Sequence, residues 1–140
     1  MAFRTRFFSW LLLACLVAGC TPQGNTGTDD AAARLRTLAV NYQRYAGQNQ
    51  GNGPASEQKF KDFIKKVGLP EGLTIDELFI SPRDNQPYEI RYKIRPGFPG
   101  PDSPVIMWEQ TGDGSTRQVA RASGAVIVVP EAEFAQLKPK

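Results

Sequence analysis

The chain is predicted to be α+β, with N-terminal helices packed on a small antiparallel sheet of about four strands. Apolar residues recur at spacings of three and four between Leu35 and Val67, which is the period of a helix with one buried stripe. From Tyr88 onward the period falls to two, and short apolar runs alternate with Gly-containing turn signals, the signature of a meander with tight connections. The 140 residues contain no internal repeat, and a chain of that length ordinarily builds one core.

Each element has its own local reason. Leu35, Leu38, Tyr42 and Tyr45 form one stripe, while Arg34, Arg36, Gln43 and Arg44 take other faces. Asp29 or Asp30 is the expected N-cap of this first helix and Gly47 its expected stop. The following GQNQGNGPA is a loop by composition. Ser56 is placed to cap a second helix with Phe60, Phe63, Ile64 and Val67 on its apolar side, ended by Gly68 and Pro70. Thr74 and Glu77 have capping-box spacing ahead of a short third helix. Tyr88, Ile90, Tyr92 and Ile94 alternate with Glu89, Arg91 and Lys93, giving a first strand with one wet face. A second strand runs through Val105 to Gln110, and Asp113-Gly114 signals a hairpin. A third strand follows around Arg117 to Arg121. After Ser123-Gly124, Ala125 to Val129 forms a fourth, and Pro130 to Leu137 reads as a closing helical turn. The long first helix is expected to lie across the sheet.

The N-terminus reads as an address. Arg4 and Arg6 precede a run from Phe7 to Ala18 that is apolar apart from Ser9. A spanning helix needs about 20 residues, so this run is too short to cross a bilayer but has the length of a signal-peptide core. It ends in Leu16-Val17-Ala18-Gly19-Cys20, which resembles the lipobox of bacterial lipoproteins. That resemblance implies export, cleavage before Cys20 and acylation of its thiol by palmitate-type chains. Each buried methylene contributes about 0.8 kcal/mol, so two or more chains anchor stably. The expected division is 1–19 signal peptide, 20–29 acylated cysteine and flexible polar tether, and 30–140 globular domain. The anchor would hold the protein on the periplasmic or outer-membrane side of the envelope.

Composition narrows the chemistry. Without Arg4 and Arg6, fifteen basic residues face fourteen acidic ones, so the domain lacks the basic excess of a nucleic-acid binder. Cys15 and Cys20 are the only cysteines and there is no histidine. The domain therefore has no internal disulfide, no Cys/His zinc site and no His-assisted nucleophile. No metal and no cofactor is expected.

Three segments together resemble pilin-like proteins, specifically the globular part of type II secretion pseudopilins. LRTLAVNYQRYAGQNQGNGPAS is similar to that family's helix running into a Tyr-containing, Gly-Pro-terminated loop. SPRDNQPYEIRY is similar to its lead into the first strand, with Asp84 where glycine is usual. GAVIVVPEAEFAQL is similar to the close of pilin-like lipoproteins. The likeness spans roughly residues 34 to 137 and implies a pilin-like α+β domain. Pseudopilins carry a cleaved apolar helix that builds a filament; a lipid on Cys20 in its place makes that route of assembly doubtful. Some members bind calcium in a loop between strands. The corresponding loop from Arg95 to Pro104 offers only Asp102, far short of the six or more oxygens calcium takes.

Several features invite sharper readings. Ser56-Glu-Gln-Lys59 matches S-x-x-K, but its companion motifs are missing and a serine at a helix start is a cap. Lys59, Lys61, Lys65 and Lys66 can rest on anionic lipid or simply form a solvated face. The Pro96–Pro104 loop holds four prolines and two P-x-x-P spacings. Phe98, Pro99 and Pro101 are its candidate partner-binding residues, against the simpler reading of a stiff connector. The spacing of Tyr42, Tyr45, Phe60, Phe63, Tyr88, Tyr92 and Trp108 assigns them to the core rather than to a sugar-stacking surface. Asp113, Glu131 and Glu133 show no pattern that would make them converge for acid–base work. The expected function is a membrane-tethered, non-enzymatic envelope lipoprotein that binds another envelope protein. The alternative is a small hydrolase or ligand-binding lipoprotein acting on envelope polymers.

Overall fold

The structure is a computed structural model that describes residues 26–98, 100 and 102–137. In chain order the elements are α1 (Thr26–Gln48), α2 (Glu57–Val67), α3 (Ile75–Leu78), β1 (Glu89–Ile90), β2 (Val105–Trp108), β3 (Thr116–Arg121), β4 (Val126–Pro130) and α4 (Glu131–Leu137). The strands form one sheet in the order β1-β2-β3-β4, every pair antiparallel. The fold is therefore α+β with a four-stranded meander, as the change of period predicts.

Two layers of helix enclose the sheet. α1 crosses β2, β3 and β4 on one face. Leu35, Leu38 and Tyr42 from α1 meet Phe60 and Ile64 from α2, Leu78 from α3 and Ile106, Met107 and Ala120 from the sheet. On the other face α4 lays Phe134 against Trp108, ring centroids 6.2 Å apart, beside Val119 and Val129. All four residues of β2 are consequently buried, as befits a strand covered on both sides. A register shift between Val105 and Met107 marks a bulge in β2, where the strand bends between its neighbours.

The caps follow their sequence signals. The Lys59 N–H donates to Ser56 Oγ at 3.3 Å, and the Gly68 N–H reaches the Ile64 carbonyl. Thr74 and Glu77 form both halves of the capping box around a single turn.

Three expectations are corrected. α1 starts at Thr26, so residues 26–29 of the expected tether are helical and Asp29 lies in the first turn rather than at the cap. Tertiary bonds extend the helix backward: Gln118 Nε2 donates to the Thr28 carbonyl at 2.8 Å, and the Tyr88 hydroxyl to that of Ala31 at 3.1 Å. α1 also continues past Gly47 to Gln48. It ends in left-handed residues Gln50 and Gly51, with the Gly51 N–H on the Ala46 carbonyl at 2.8 Å, a Schellman-type closure. The predicted strand from Tyr88 to Ile94 is paired in the sheet only at Glu89 and Ile90. The Tyr42 hydroxyl takes the Arg91 carbonyl at 2.7 Å, Lys93 turns to φ +61°, and the chain leaves the sheet. It then pairs with the loop after α1, the Gly53 N–H on the Ile94 carbonyl at 2.8 Å and the Lys93 N–H on that of Pro54 at 2.9 Å. The predicted in–out alternation holds only in part: Tyr88 is buried and Glu89 and Lys93 are exposed, but Arg91 is half-buried like Ile90, Tyr92 and Ile94.

Gly53 is required where these segments meet. A Cβ there would overlap the Tyr42 hydroxyl and lie 2.6 Å from the Ile94 carbonyl oxygen. Gly53→Ala should lower the unfolding free energy by about 2–3 kcal/mol, the cost of overpacking a tight site. Gly47→Ala, with nothing near the added carbon, should raise it by about 0.5–1 kcal/mol through helix propensity. Urea titration of the two variants side by side tests both signs.

Candidate docking site

Two places concentrate functional groups, and the first explains itself as structure. Glu109, fully buried, follows β2. Its carboxylate accepts from Ser81 Oγ at 2.8 Å, from the Arg83 guanidinium at 2.7 Å and from the Gln118 N–H at 2.7 Å. Arg83, its side chain 6% exposed, also donates to Asp113 Oδ2 and to Thr116 Oγ1. Asp84 holds the adjoining turn, with Oδ2 accepting from the N–H groups of Thr111 at 3.0 Å and Gly112 at 2.9 Å. Here lies the reason for a carboxylate at the position where the resemblance leads one to expect glycine: it latches the 81–86 turn to the β2–β3 hairpin.

The electrostatics of this cluster are those of a closed network. Burial pushes the Glu109 carboxyl above its ordinary range, against the opposing pull of Gln118, Ser81 and Arg83. Burial also raises Asp84, but the N–H donors of Thr111, Gln86 and Gly112 bring it below the usual range. Asp113 is held well below by the N–H groups of Thr116 and Ser115 and by their hydroxyls. Glu131 pairs instead with Arg117, Nε to Oε2 at 2.6 Å, which lowers its carboxyl and pins α4 to β3. Asp113, Glu131 and Glu133 thus do not form an acid–base set. The carboxylates of Glu109, Asp84, Asp113 and Glu131 all accept from protein donors, while Gln118 Oε1 is buried without a donor.

The second place is a cleft of about 330 Å³ between the C-terminal end of α1 and the Arg95–Phe98 segment. Gln43, Ala46 and Gly47 form one wall, Gln50 and Gly51 the end, and Arg95 to Phe98 the other wall. Small residues on the helix make the hollow, because Ala46 and Gly47 put almost no side chain into it. Phe98 stands at its rim 96% exposed. Burying a phenylalanine contributes about 1.5–3 kcal/mol, so an isolated exposed ring forgoes most of that in the free protein. Arg95 is steadied from the side by Nε donating to Asn52 Oδ1 at 2.9 Å. Gln43 carries a buried amide nitrogen with no acceptor.

The predicted site residues fare unequally. Phe98 is exposed at the edge of the cleft, while Cys20, Pro99 and Pro101 lie outside the described residues. Ser56 is a helix cap rather than a nucleophile. Of the α2 lysines, Lys61 is tied to Glu57 at 2.7 Å and to Asp76 at 2.8 Å. Lys59, Lys65 and Lys66 are exposed. Tyr42, Phe60, Tyr88 and Trp108 are buried and Tyr45, Phe63 and Tyr92 half-buried, so these rings belong to the packing. Sequence reasoning missed the helical wall of the cleft, whose one linear signal is the adjacent pair Ala46-Gly47. It also missed the Arg83–Glu109 pair, for which no linear signal exists. No group of three potential metal ligands occurs among the described residues, and no described helix is long and apolar enough to cross a membrane.

No family model matches the chain, and no curated protein and no solved structure shows a significant similarity to it. Fold and site define an α+β domain with a small cleft beside an exposed aromatic ring.

Removing one partner of a buried pair strands the other charge. Glu109→Ala should lower stability by about 3–5 kcal/mol, whereas an Arg83→Met, Glu109→Leu double replacement should lose markedly less; urea midpoints decide. The pH profile has a defined shape. Carboxylates depressed in the fold (Asp84, Asp113, Glu131) contribute stability above their unfolded pKa of about 4, and that stability is lost as pH falls through the lower folded values. Glu109, raised in the fold, works the opposite way and partly offsets them. Burial lifts the Tyr42 hydroxyl to about 12, so its contribution is lost as pH rises above the ordinary value of about 10. With no histidine, stability should be nearly flat from about pH 5 to 9 and fall on both sides. Asp84→Asn should lower the plateau and make the acid limb shallower, measured as urea midpoint against pH.

Proposed function

We propose that this chain is an exported lipoprotein of the bacterial cell envelope, anchored through acyl chains on Cys20. Its domain is pilin-like and acts as a non-enzymatic docking module for another envelope protein. The observation that carries this reading is the exposed Phe98 ring beside an apolar cleft at the far end of α1 from the N-terminus. α1 has 23 residues and at about 1.5 Å per residue is about 33 Å long. Five residues separate Cys20 from Thr26. An anchor at Cys20 keeps the N-terminal end of α1 close to the bilayer, and the cleft then faces the space beyond it. The lipobox, the three pilin-like segments and the closed character of the Arg83–Glu109 network all support this reading over catalysis.

A second reading has one observation in its favour. The cleft volume of about 330 Å³ falls at the small end of ordinary ligand sites, about 300–1,000 Å³. A small-molecule-binding lipoprotein is therefore the alternative, and it predicts a ligand retained without any protein partner.

A photoreactive phenylalanine analogue at position 98, in intact cells, tests the proposal. The expected outcome is a discrete membrane-associated protein adduct that is absent when the analogue sits at Val128, an exposed strand position. Cys20→Ala should move the protein out of the membrane fraction and abolish the adduct. Identical fractionation of wild type and Cys20→Ala would sink the anchor, and equal crosslinking at 98 and 128 would sink the docking site.

A further inference from the structure

The cleft has a charge character as well as a shape. The segment leading into its outer wall carries Arg91 and Lys93, and the wall itself begins at Arg95; none of the three is ion-paired among the described residues. Arg83 is matched by Glu109 and Asp113 and Arg117 by Glu131, while the half-buried Arg34 and Arg121 donate to main-chain carbonyls. In the Arg95–Pro104 loop the single acid is Asp102. The opposite end of the molecule is acidic. There Asp84, Glu109, Asp113 and Glu131 gather around the β2–β3 hairpin against Arg83 and Arg117 alone. The surface thus pairs an apolar hollow, a free aromatic rim and a row of uncompensated cations.

We propose that the cleft takes an extended acidic segment of a partner protein, with one apolar side chain seated against Ala46, Gly47 and Phe98 and a flanking carboxylate on Arg95. This deepens the docking proposal and rests on it. Arg95 lines the cleft and its guanidinium is held through Nε by Asn52, so part of its ordering cost is already met. Gln43 supplies the second polar element. Its amide nitrogen lacks an acceptor, and a small displacement of the wall by a bound chain would give it a backbone carbonyl. Apolar contact then supplies affinity, and the cations supply selection and a faster encounter.

Fluorescence anisotropy with labelled synthetic peptides tests this on the acylated protein purified in neutral detergent. One probe carries a leucine flanked by aspartate and glutamate; its partner has asparagine and glutamine instead. Binding of the acidic peptide should exceed that of the amide peptide by about tenfold, a difference typical of one charge-assisted contact. It should weaken severalfold on raising salt from about 0.05 M to about 0.5 M, where screening shortens to a few ångströms. Arg95→Gln should abolish the preference for the acidic probe, and Phe98→Ala should weaken both probes equally. Both are surface changes, and an unchanged thermal melt establishes that each variant is folded. Equal binding of the two peptides, blocked by Phe98→Ala, would keep the docking site and overturn the acidic partner. No binding of either peptide would overturn both.

Discussion

The Glu109 carboxylate is fully buried at the end of β2, and a buried charge is tolerated only when its lone pairs are answered. The answers come from two separate stretches of chain: Ser81 and Arg83 before the sheet, and Gln118 in β3. Satisfying one side chain therefore fixes the 81–86 turn against the hairpin. Gln118, which donates its N–H to Glu109, also donates its side-chain amide to Thr28, so the same knot holds the first turn of α1. Replacing the pair by apolar residues of similar size would cost little in principle. What the pair supplies is a link between the turn and the hairpin, because its bonds join residues 81–83 to β2 and β3.

From that fixed end, α1 carries the geometry across the molecule. Its apolar stripe packs on β2, β3 and β4, and Tyr42 near its far end reaches the Arg91 carbonyl. The Arg91 N–H still reaches the Ile106 carbonyl, and beyond it the chain leaves the sheet and pairs with the loop that follows the helix. The cleft is a by-product of this detour. The Arg95–Phe98 segment has to pass beside the small residues of α1, and the hollow between them is left unfilled.

Legibility differed between fold and site. Period, caps and turn residues located every helix and strand, because those signals act over three to seven neighbouring residues. Boundaries failed where a distant partner intervened. The start of α1 moved to Thr26 because of Gln118 and Tyr88, and the first strand shortened where the chain pairs with the loop after α1. For the cleft, the proline-rich loop with Phe98 was visible as an unusual composition, but its opposite wall was not. Ala46 reads as an ordinary helix residue and Gly47 as a helix stop until a segment almost fifty positions away is laid beside them.

By itself the sequence determined the class of the domain, the order of its elements, the caps of α2 and α3, the absence of histidine and the restriction of cysteine to positions 15 and 20. These are properties of composition and of short-range periodicity, and they need no knowledge of what lies opposite. Only the tertiary structure decided which carboxylates are closed into networks, that Asp84 is a latch, and that Phe98 borders a hollow next to unpaired cations. Each of these depends on donors, acceptors and surfaces brought together from remote parts of the chain. No spacing along a chain encodes whether a buried glutamate will find its arginine; that is settled when the hairpin closes over the turn before it.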